Sequence, residues 1–227
     1  MVVGQVQIIV EGMTASGKST TVELLARRLG LAVMPEEFRD QYDLLRRFHY
    51  ERRWAFPMQL NFLVTRFAQY LCASEDTVHI LDRSIFGDKI YAALYHRLGY
   101  FSDAMFQSYL HLYNSLLKHL RMPKLLILLK CPLPEILRRI VARGREDEIR
   151  AGEQYWCDLY TAYDTFLDVV NAEKAIPNLL ILDTATTNLV HNEAHIAAFL
   201  DEVRSYLQRE DEPDLSACCP PPCGALA

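Results

Sequence analysis

The residues most clearly suited to chemistry form a glycine-rich segment near the N-terminus. Residues 12–19 read GMTASGKS: a glycine, four residues, and then glycine, lysine and serine. Such glycines let backbone N–H groups turn inward around a β-phosphate, Lys18 reaches the β- and γ-phosphates, and the Ser19 hydroxyl can ligate Mg²⁺. The segment therefore predicts a phosphate-binding loop (P-loop). Its predicted nucleotide-binding residues are Gly12, Met13, Thr14, Ala15, Ser16, Gly17, Lys18, Ser19 and Thr20.

A second polar group follows the apolar run VHILD at 78–82. Asp82 ends this run, as the acidic residue of a Walker B segment does, and is suited to hold Mg²⁺ or its waters. Arg83 follows directly, and Asp88 comes about one helical turn further on, where the next predicted helix starts. An N-cap with a surface salt bridge is the alternative explanation of these residues.

Two adjacent carboxylates, Glu36 and Glu37, follow the apolar run LAVM at 31–34. A carboxylate at the ligand-facing end of a strand can act as a general base, because it can accept a proton from a bound hydroxyl. Acidic residues are also common at the start of a helix, where they interact favourably with the helix dipole. Both explanations are open for this pair.

The segment WAFPMQLNFLVTRFAQYL at 54–71 has helical spacing. Gln59, Phe62 and Arg66 fall on roughly one helix face, because they are separated by three and four positions. A glutamine amide beside aromatic rings can pair with the edge of a nucleobase while Phe62 stacks on the base. The alternative is an amphipathic helix with a solvated arginine.

A cluster of arginines occurs in LRRIVARGREDE at 137–148. Arg139 and Arg143 share one helix face, and Arg145 follows the helix-breaking Gly144. Arginines on a helix that ends in glycine suit a mobile lid that closes over phosphates and stabilises the charge on a transferred group. A solvated run of charges is the alternative.

Five short apolar runs predict the strands that position these groups. They are VQIIV (6–10), LAVM (31–34), VHILD (78–82), LLILL (125–129) and NLLILD (178–183), and helical periodicity occupies about 39–73, 87–119, 132–173 and 190–207 between them. Strands alternating with helices predict an α/β doubly wound fold with a parallel sheet. Ligands of such sheets bind at the carboxyl ends of the strands, where the polar residues above are found.

The bulk properties limit the classes of partner. The chain has 227 residues and a net charge of -5, which argues against a nonspecific binder of nucleic acid polymers. We find no apolar run long enough to span a bilayer. The N-terminal run lacks a basic region and a cleavage signal and leads into the glycine-rich segment, so we expect it to be a strand and not a leader. The scattered cysteines fit a reducing cytosol. Residues 1–207 are expected to form one domain, and the acidic, proline-rich segment 208–227 a disordered tail.

These motifs together resemble the deoxynucleoside kinase family of P-loop proteins over about residues 6–183. The resemblance rests on GMTASGKST, PEE, the glutamine–arginine helix, DRS with Asp88, and RGRE with Glu148. It implies a three-layer P-loop kinase fold, with a five-stranded parallel sheet flanked by helices and a short arginine-rich lid. It also implies a homodimer and the transfer of a phosphoryl group from ATP, with Mg²⁺, to a deoxynucleoside 5′-hydroxyl.

The resemblance further implies roles for the residues around that hydroxyl and the donor. Glu36 would contact the 5′-hydroxyl, and Asp82 with Arg83 would flank the same hydroxyl and the metal. Either carboxylate would serve as the base. Lys18 would hold the transferred phosphate, and the lid residues around the ATP phosphates would be Arg139, Arg143 and Arg145.

Other residues are implied at the nucleoside itself. Gln59 would pair with the base edge, and Arg66 with Asp88 would form the charged pair typical of members that act on purines and deoxycytidine. Glu148 would hold the 3′-hydroxyl. Phe48 stands where many members have a tyrosine for that hydroxyl, which is a departure from the family pattern, and His49 and Tyr50 are the alternatives for this role.

Two other functions compete with this one. A nucleoside monophosphate kinase, similar to thymidylate kinases, needs arginines at its acceptor site, and Arg39, Arg46 and Arg47 keep that alternative open. The acidic pair at 36–37 favours a neutral nucleoside, because a hydroxyl acceptor needs a base and a phosphate acceptor does not. A regulatory nucleotide-binding module would have no reason to combine a base, Asp82-Arg83 and an arginine lid.

Overall fold

The computed structural model describes residues 6–35, 38, 40–75, 80–173 and 178–209. Its strands are β1 (Ile8–Gly12), β2 (Val33–Met34), β3 (Ile80–Asp82), β4 (Leu125–Lys130) and β5 (Leu179–Asp183). Its α-helices are α1 (Lys18–Leu29), α2 (Leu44–Tyr50), α3 (Ala55–Glu75), α4 (Ile85–Arg97), α5 (Asp103–Leu117), α6 (Leu133–Arg143), α7 (Glu146–Ala151), α8 (Glu153–Glu173) and α9 (Glu193–Leu207), with a short 3₁₀ turn at Arg52–Trp54.

The five strands form one parallel sheet in the order β2-β3-β1-β4-β5. The predicted five-stranded sheet is thus confirmed, and each strand lies within two residues of its predicted apolar run. All strands end at the same edge because they are parallel. The register pairs Val10 with Asp82, so β3 ends beside β1 two residues before β1 reaches Gly12.

Helices cover both faces of the sheet, which makes three layers as predicted. Side chains of the central strands alternate between two cores, because successive residues of a strand point to opposite faces. One core joins the sheet to α1 and α9 and includes Ile8, Val10, Leu25, Leu125, Ile127 and Phe199. The other joins it to α3, α4, α5 and α8 and includes Ile9, Leu63, Leu94, Leu126, Tyr109 and Leu159.

The long helical segments are divided more often than the periodicity predicts. Helix α6 ends at Gly144 and α7 ends at Gly152, with φ values of +69° and +81°. Helix α2 begins only at Leu44, because the Asp40 carboxylate accepts hydrogen bonds from the Leu44 and Leu45 N–H groups at 2.6 and 2.8 Å. Side-chain caps set where a helix begins and glycine turns set where it ends, and neither changes the spacing of the apolar residues. Apolar periodicity therefore predicts fewer and longer helices than the structure contains.

Some predicted features lie outside the described residues. They are Glu36, Glu37, Arg39, the first two residues of the run at 78–82, and the segment 210–227. Within the part of the chain that is described, none of the helices is long and apolar enough to cross a membrane.

Candidate active site

The glycine-rich segment forms a tight loop between β1 and α1, as its sequence predicts. Gly12 and Gly17 have φ values of +150° and +105°, which favour glycine. A Cβ at position 12 would also lie 2.7 Å from Ser16 Oγ and 3.0 Å from the Leu129 carbonyl oxygen, so the loop has no room for a side chain there. Helix α1 begins at Lys18, which directs its positive N-terminal end into the loop.

Side chains donate hydrogen bonds to the carbonyl oxygens of this loop. The buried Lys18 Nζ donates to the carbonyls of Gly12 and Met13 at 2.8 and 2.9 Å. Tyr163 on α8 donates its hydroxyl to the Gly12 carbonyl at 3.2 Å, and Thr184 after β5 donates to the Ser16 carbonyl at 2.9 Å. Carbonyl oxygens carry partial negative charge and would repel a phosphate. Because these oxygens accept hydrogen bonds, the Lys18 ammonium and the α1 dipole make the electrostatic potential of the loop positive.

The predicted lid residue Arg139 lies against this loop. Its guanidinium donates to the carbonyls of Ala15 and Ser16 at 3.3 and 3.4 Å and to the Thr184 carbonyl at 3.1 Å. Its Nε donates to the Glu135 carboxylate at 2.7 Å. Hydrogen bonds from Arg138 and Arg139 lower the pKa of that carboxyl to about 2, so Glu135 stays ionised and keeps Arg139 in place.

The end of β3 lies beside the start of α1. Ser19 Oγ donates to Asp82 Oδ2 at 3.4 Å, although these residues are 63 positions apart in the sequence. A hydroxyl and a carboxylate are hard oxygen ligands, which suit Mg²⁺, and Mg²⁺ at phosphate sites commonly takes only one or two protein carboxylates. Ser19 and Asp82 therefore have the ligand chemistry and the proximity expected of a Mg²⁺ site.

Arg83 turns the chain away from the sheet directly after Asp82. Its φ is +67°, a left-handed conformation that is unusual for a residue other than glycine. Its guanidinium donates to the Tyr91 hydroxyl at 3.0 Å and lies over the Tyr91 ring. This turn places the Arg83 side chain in the wall of a cavity.

The cavity has a volume of about 170 Å³ and lies between α2, α3, α4 and α8. Five of its residues were predicted from the sequence: Gln59, Phe62, Arg66, Arg83 and Asp88. Five were not: Leu45, Met58, Tyr91, Tyr95 and Tyr155. Tyr91 and Tyr95 could have been found, because they follow Asp88 by three and seven positions and share its helix face.

The inner end of the cavity contains a buried ion pair. Arg66 donates to Asp88 Oδ1, and the two side chains are 7% and 0% exposed. Gln59 donates its amide to the Asp88 carbonyl at 3.2 Å. Within the described chain, Asp88 Oδ2 is buried and has no hydrogen-bond partner. A carboxylate oxygen in that position can accept a hydrogen bond from a ligand, since ionised carboxylates only accept.

The aromatic residues are arranged differently from the prediction. Phe62 reaches the cavity, but its ring also stacks on Phe38 with centroids 3.7 Å apart. Phe48 is not one of the lining residues; it is buried behind the wall, with its ring centroid 5.1 Å from that of Tyr95. In this structure Phe48 therefore supports the Tyr95 ring, and its predicted contact with the substrate stays a prediction.

Two tyrosine hydroxyls form part of the cavity wall. Tyr95 on α4 and Tyr155 on α8 have their hydroxyl oxygens 3.3 Å apart. Burial raises the pKa of both phenols above the ordinary value, so both remain protonated at neutral pH. One hydroxyl donates to the other, and the remaining proton can be donated to a neutral, hydroxyl-bearing ligand. Tyr155 has no local sequence signal that marks it, because it reaches the cavity only through the packing of α8 on α4.

The remaining lid residues are held together by one carboxylate. Glu148 Oε1 accepts from Arg143 at 3.1 Å and from Arg145 at 3.3 Å. Both arginines are partly exposed, whereas Glu148 is mostly buried. In the described chain, the other oxygen of Glu148 is buried without a hydrogen-bond partner. The residue predicted at the sugar and the arginines predicted at the phosphates are thus in direct contact.

Comparison of the sequence with known proteins identifies its family. The family model described as "Deoxynucleoside kinase" matches residues 8–208. A deoxyadenosine/deoxycytidine kinase of Bacillus subtilis (strain 168) is 32% identical over 205 residues, which cover 88% of this chain and 92% of the relative. A deoxyguanosine kinase of the same organism is 27% identical over 206 residues, covering 86% of this chain and 96% of the relative.

Solved structures share the fold. A deoxyadenosine kinase from M. mycoides with bound dCTP superposes with a TM-score of 0.74 at 22% identity, covering 88% of this chain and 99% of that one. The same kinase with bound dATP gives a TM-score of 0.73 at 22% identity, covering 87% of this chain and 99% of that one.

Proposed function

Because this chain belongs to the deoxynucleoside kinase family, we propose that it transfers the γ-phosphoryl group of ATP to the 5′-hydroxyl of a 2′-deoxynucleoside. The chain is a phosphotransferase by that membership. The observation that carries the proposal is the cavity lined by Gln59, Arg66, Arg83 and Asp88. Arg83 directly follows Asp82, which accepts a hydrogen bond from Ser19 at the end of the phosphate-binding loop, so the cavity and the loop are neighbours. The donor and acceptor of a transfer reaction need such adjacent sites, since positioning supplies much of the rate.

At the acceptor, a hydroxyl is a poor nucleophile until its proton can leave. The proposed base is a carboxylate, either Asp82 or Glu36, that takes this proton as the 5′-oxygen bonds to the γ-phosphorus. The bond from that phosphorus to the β,γ-bridging oxygen breaks, and ADP leaves. Arg83 is proposed to contact the reacting hydroxyl from the cavity wall, where its guanidinium is held by Tyr91.

At the donor, the phosphate loop and Lys18 are proposed to hold the ATP phosphates. Arg139 lies beside the loop, and Arg143 and Arg145 are proposed to close over the transferred group and balance its charge. Ser19 and Asp82 are proposed to hold Mg²⁺, which supplies charge neutralisation at the β- and γ-phosphates when bound. Exclusion of water by the closed lid protects ATP from hydrolysis.

A panel of nucleosides and nucleoside monophosphates with ATP and Mg²⁺ tests this function. We expect 5′-monophosphates from deoxynucleosides and no diphosphates from monophosphates. Diphosphate products would instead support a monophosphate kinase, an alternative that the comparisons do not favour. ATP hydrolysis without any transfer product would contradict the proposal.

We further propose that purine deoxynucleosides and deoxycytidine are preferred over thymidine. Asp88 lines the cavity, and its buried Oδ2 accepts no hydrogen bond from the described chain, so it is suited to accept one from the exocyclic amino group of adenine or cytosine. Thymine offers a carbonyl oxygen at the corresponding position and would face the carboxylate unfavourably. The relative from B. subtilis described as a deoxyadenosine/deoxycytidine kinase supports this preference.

Replacing both members of the buried pair tests the preference. In the double variant Arg66→Met/Asp88→Ala, we expect the ratio of kcat/KM for deoxycytidine or deoxyadenosine to that for thymidine to fall about tenfold or more, since each lost hydrogen bond to a charged group is worth roughly 1.5–3 kcal/mol. The single variant Asp88→Ala should be less stable than the double variant in thermal unfolding, because it removes the carboxylate partner of a buried guanidinium.

The exposed pair Arg28 and Glu193 provides a matched control. The variant Arg28→Met/Glu193→Ala removes an arginine–carboxylate pair of the same type on α1 and α9, and the substrate ranking should not change. If the ranking is also unchanged in the cavity variant, Arg66 and Asp88 do not select the base.

Two further expectations belong to this proposal. We propose that the protein is a homodimer, as the family resemblance implies, and that it works in a reducing cytosol. Sedimentation velocity at several concentrations measures the first. The cysteines resolved in the structure, Cys72, Cys131 and Cys157, are free thiols, which supports the second.

A further inference from the structure

Glu11 is a buried carboxylate for which the reaction described above has no use. It lies in β1 at 2% exposure, after the fully buried residues Ile8, Ile9 and Val10. Strand β1 has neighbours on both sides, and position 11 pairs with Leu128 of β4. A buried carboxylate on a central strand is costly unless it is well hydrogen-bonded. Its contacts therefore indicate why it is there.

The two carboxylate oxygens contact two different loops. Oε1 accepts from the N–H of Gly12, the first residue of the phosphate loop, at 3.2 Å. Oε2 accepts from the N–H of Ser84, which follows the Arg83 turn, at 3.2 Å. One side chain thus connects the loop proposed for the donor with the turn that carries a residue proposed for the acceptor.

The sequence leaves space for this carboxylate at position 87. Gly87 lies in the first turn of α4, and a Cβ there would be 2.6 Å from Glu11 Cδ and Oε2. Its φ is not positive, so the backbone conformation does not require glycine. Glycine is otherwise unfavourable inside a helix. The close approach of Glu11 is the physical reason for glycine at this position.

Glu11 and its neighbour hold the strained Arg83 turn on both sides. The Arg83 N–H donates to the Val10 carbonyl at 3.0 Å, and the next N–H, of Ser84, donates to Glu11. Left-handed φ values in residues with a Cβ are disfavoured and persist only where surrounding contacts impose them. Loss of the Glu11 contact would let this turn relax and move the Arg83 guanidinium out of the cavity.

We propose that Glu11 is a positioning residue for phosphoryl transfer, whose carboxylate fixes the Arg83 turn relative to the phosphate loop. This inference rests on the proposed kinase function, because Arg83 matters only if a hydroxyl acceptor binds in the cavity. The N–H groups of Gly12 and Ser84 each need an acceptor, and the carboxylate of Glu11 supplies two whereas a carboxamide supplies one. In glutamine one oxygen is replaced by an NH₂ group that would face a backbone N–H.

The test is a double-mutant cycle between Glu11→Gln and Arg83→Ala, with kcat measured at saturating ATP and deoxynucleoside. We expect Glu11→Gln alone to lower kcat about 10- to 100-fold and to change the KM for ATP less than threefold, which corresponds to a loss in the transition state. In the Arg83→Ala background, the same substitution should lower kcat less than threefold, since it acts through Arg83. Equal factors in both backgrounds would overturn the proposal.

Gly87→Ala provides a second, independent perturbation of the same contact. It displaces the carboxylate without changing any charge, so we expect a similar loss of kcat in the wild-type background and a similar absence of effect with Arg83→Ala. It replaces Glu11→Gln in the cycle if that variant does not fold. If neither variant folds, Glu11 is required for the fold itself and the proposed positioning role is rejected.

Ser102→Ala is the control for general destabilisation. The Ser102 hydroxyl accepts from the Met105 N–H at the start of α5, away from the cavity, so this variant should unfold at a lower temperature with unchanged kcat. Failure of the positioning role is distinguishable from failure of the kinase function. If the wild-type protein forms no product with the nucleoside panel, the kinase function fails. If the wild type is active but Glu11→Gln lowers kcat equally in both backgrounds, only the positioning role fails.

Discussion

Replacement of Asp82 by asparagine is expected to lower kcat by about 10²- to 10⁴-fold, the range of a lost general base. Asp82 ends β3, and its Oδ2 lies 3.4 Å from Ser19 Oγ at the start of α1. Asparagine keeps the shape and removes the charge, so it abolishes both a base and an anionic metal ligand. Steady-state kinetics at saturating ATP and deoxynucleoside measure the loss, and the exposed Asp201→Asn on α9 is the matched control.

Varying the Mg²⁺ concentration separates the two possible roles of Asp82. If Asp82 mainly holds the metal, its replacement should raise the Mg²⁺ concentration needed for half-maximal rate, and excess Mg²⁺ should restore part of kcat. Glu36→Gln should then lower kcat by orders of magnitude at every Mg²⁺ concentration with ATP binding retained, because Glu36 would be the base. Near-normal turnover of Glu36→Gln would remove Glu36 as a catalytic group, and near-normal turnover of Asp82→Asn would remove Asp82.

Replacement of Lys18 by alanine is expected to lower kcat/KM for ATP by about 10³-fold, as loss of a preorganised charge at a transferring group does. The Lys18 ammonium is buried at the mouth of the phosphate loop and is held by the carbonyls of Gly12 and Met13. These contacts hold the positive charge at the phosphate loop without a bound nucleotide. The kinetics with ATP as the varied substrate measure this effect.

The exposed Lys118 after α5 is the control for loss of a lysine charge. Lys118→Ala should keep the wild-type kcat/KM, because an exposed charge distant from the site is screened by solvent. A Lys18→Ala variant that folds and retains more than a tenth of the wild-type kcat/KM would contradict the role of Lys18 at the phosphates. Thermal unfolding of both variants shows whether a loss arises from the fold instead.

Much of the donor site could be predicted from the sequence, because its residues are adjacent along the chain. The glycines, Lys18 and Ser19 form one loop whose conformation depends on local backbone freedom, and the structure confirms it. The strands could be predicted because continuous apolar runs are typical of parallel strands buried on both faces. Asp82 could be predicted as a site residue because the end of a buried strand is where ligands bind in this class of sheet.

The acceptor cavity was predicted only in part. Gln59, Phe62 and Arg66 were found because helical spacing places them on one face of α3, and all three line the cavity. Tyr155 was not predicted, and Phe48 lies behind the Tyr95 ring and is not one of the lining residues. Both placements depend on contacts between helices, and the spacing of residues within one helix carries no information about which neighbouring helix they face.

The sequence by itself determined the parallel sheet, the phosphate loop and the polar residues at the strand ends, because each depends on a local pattern of residue types. Only the tertiary structure decided how these parts are joined. Glu11 contacts Ser84 across 73 positions and Arg139 contacts Ala15 across 124, and both contacts exist only because the sheet order brings distant loops to one edge. Periodicity reports the neighbours of a residue along its own helix or strand, whereas such contacts depend on the packing of the whole chain.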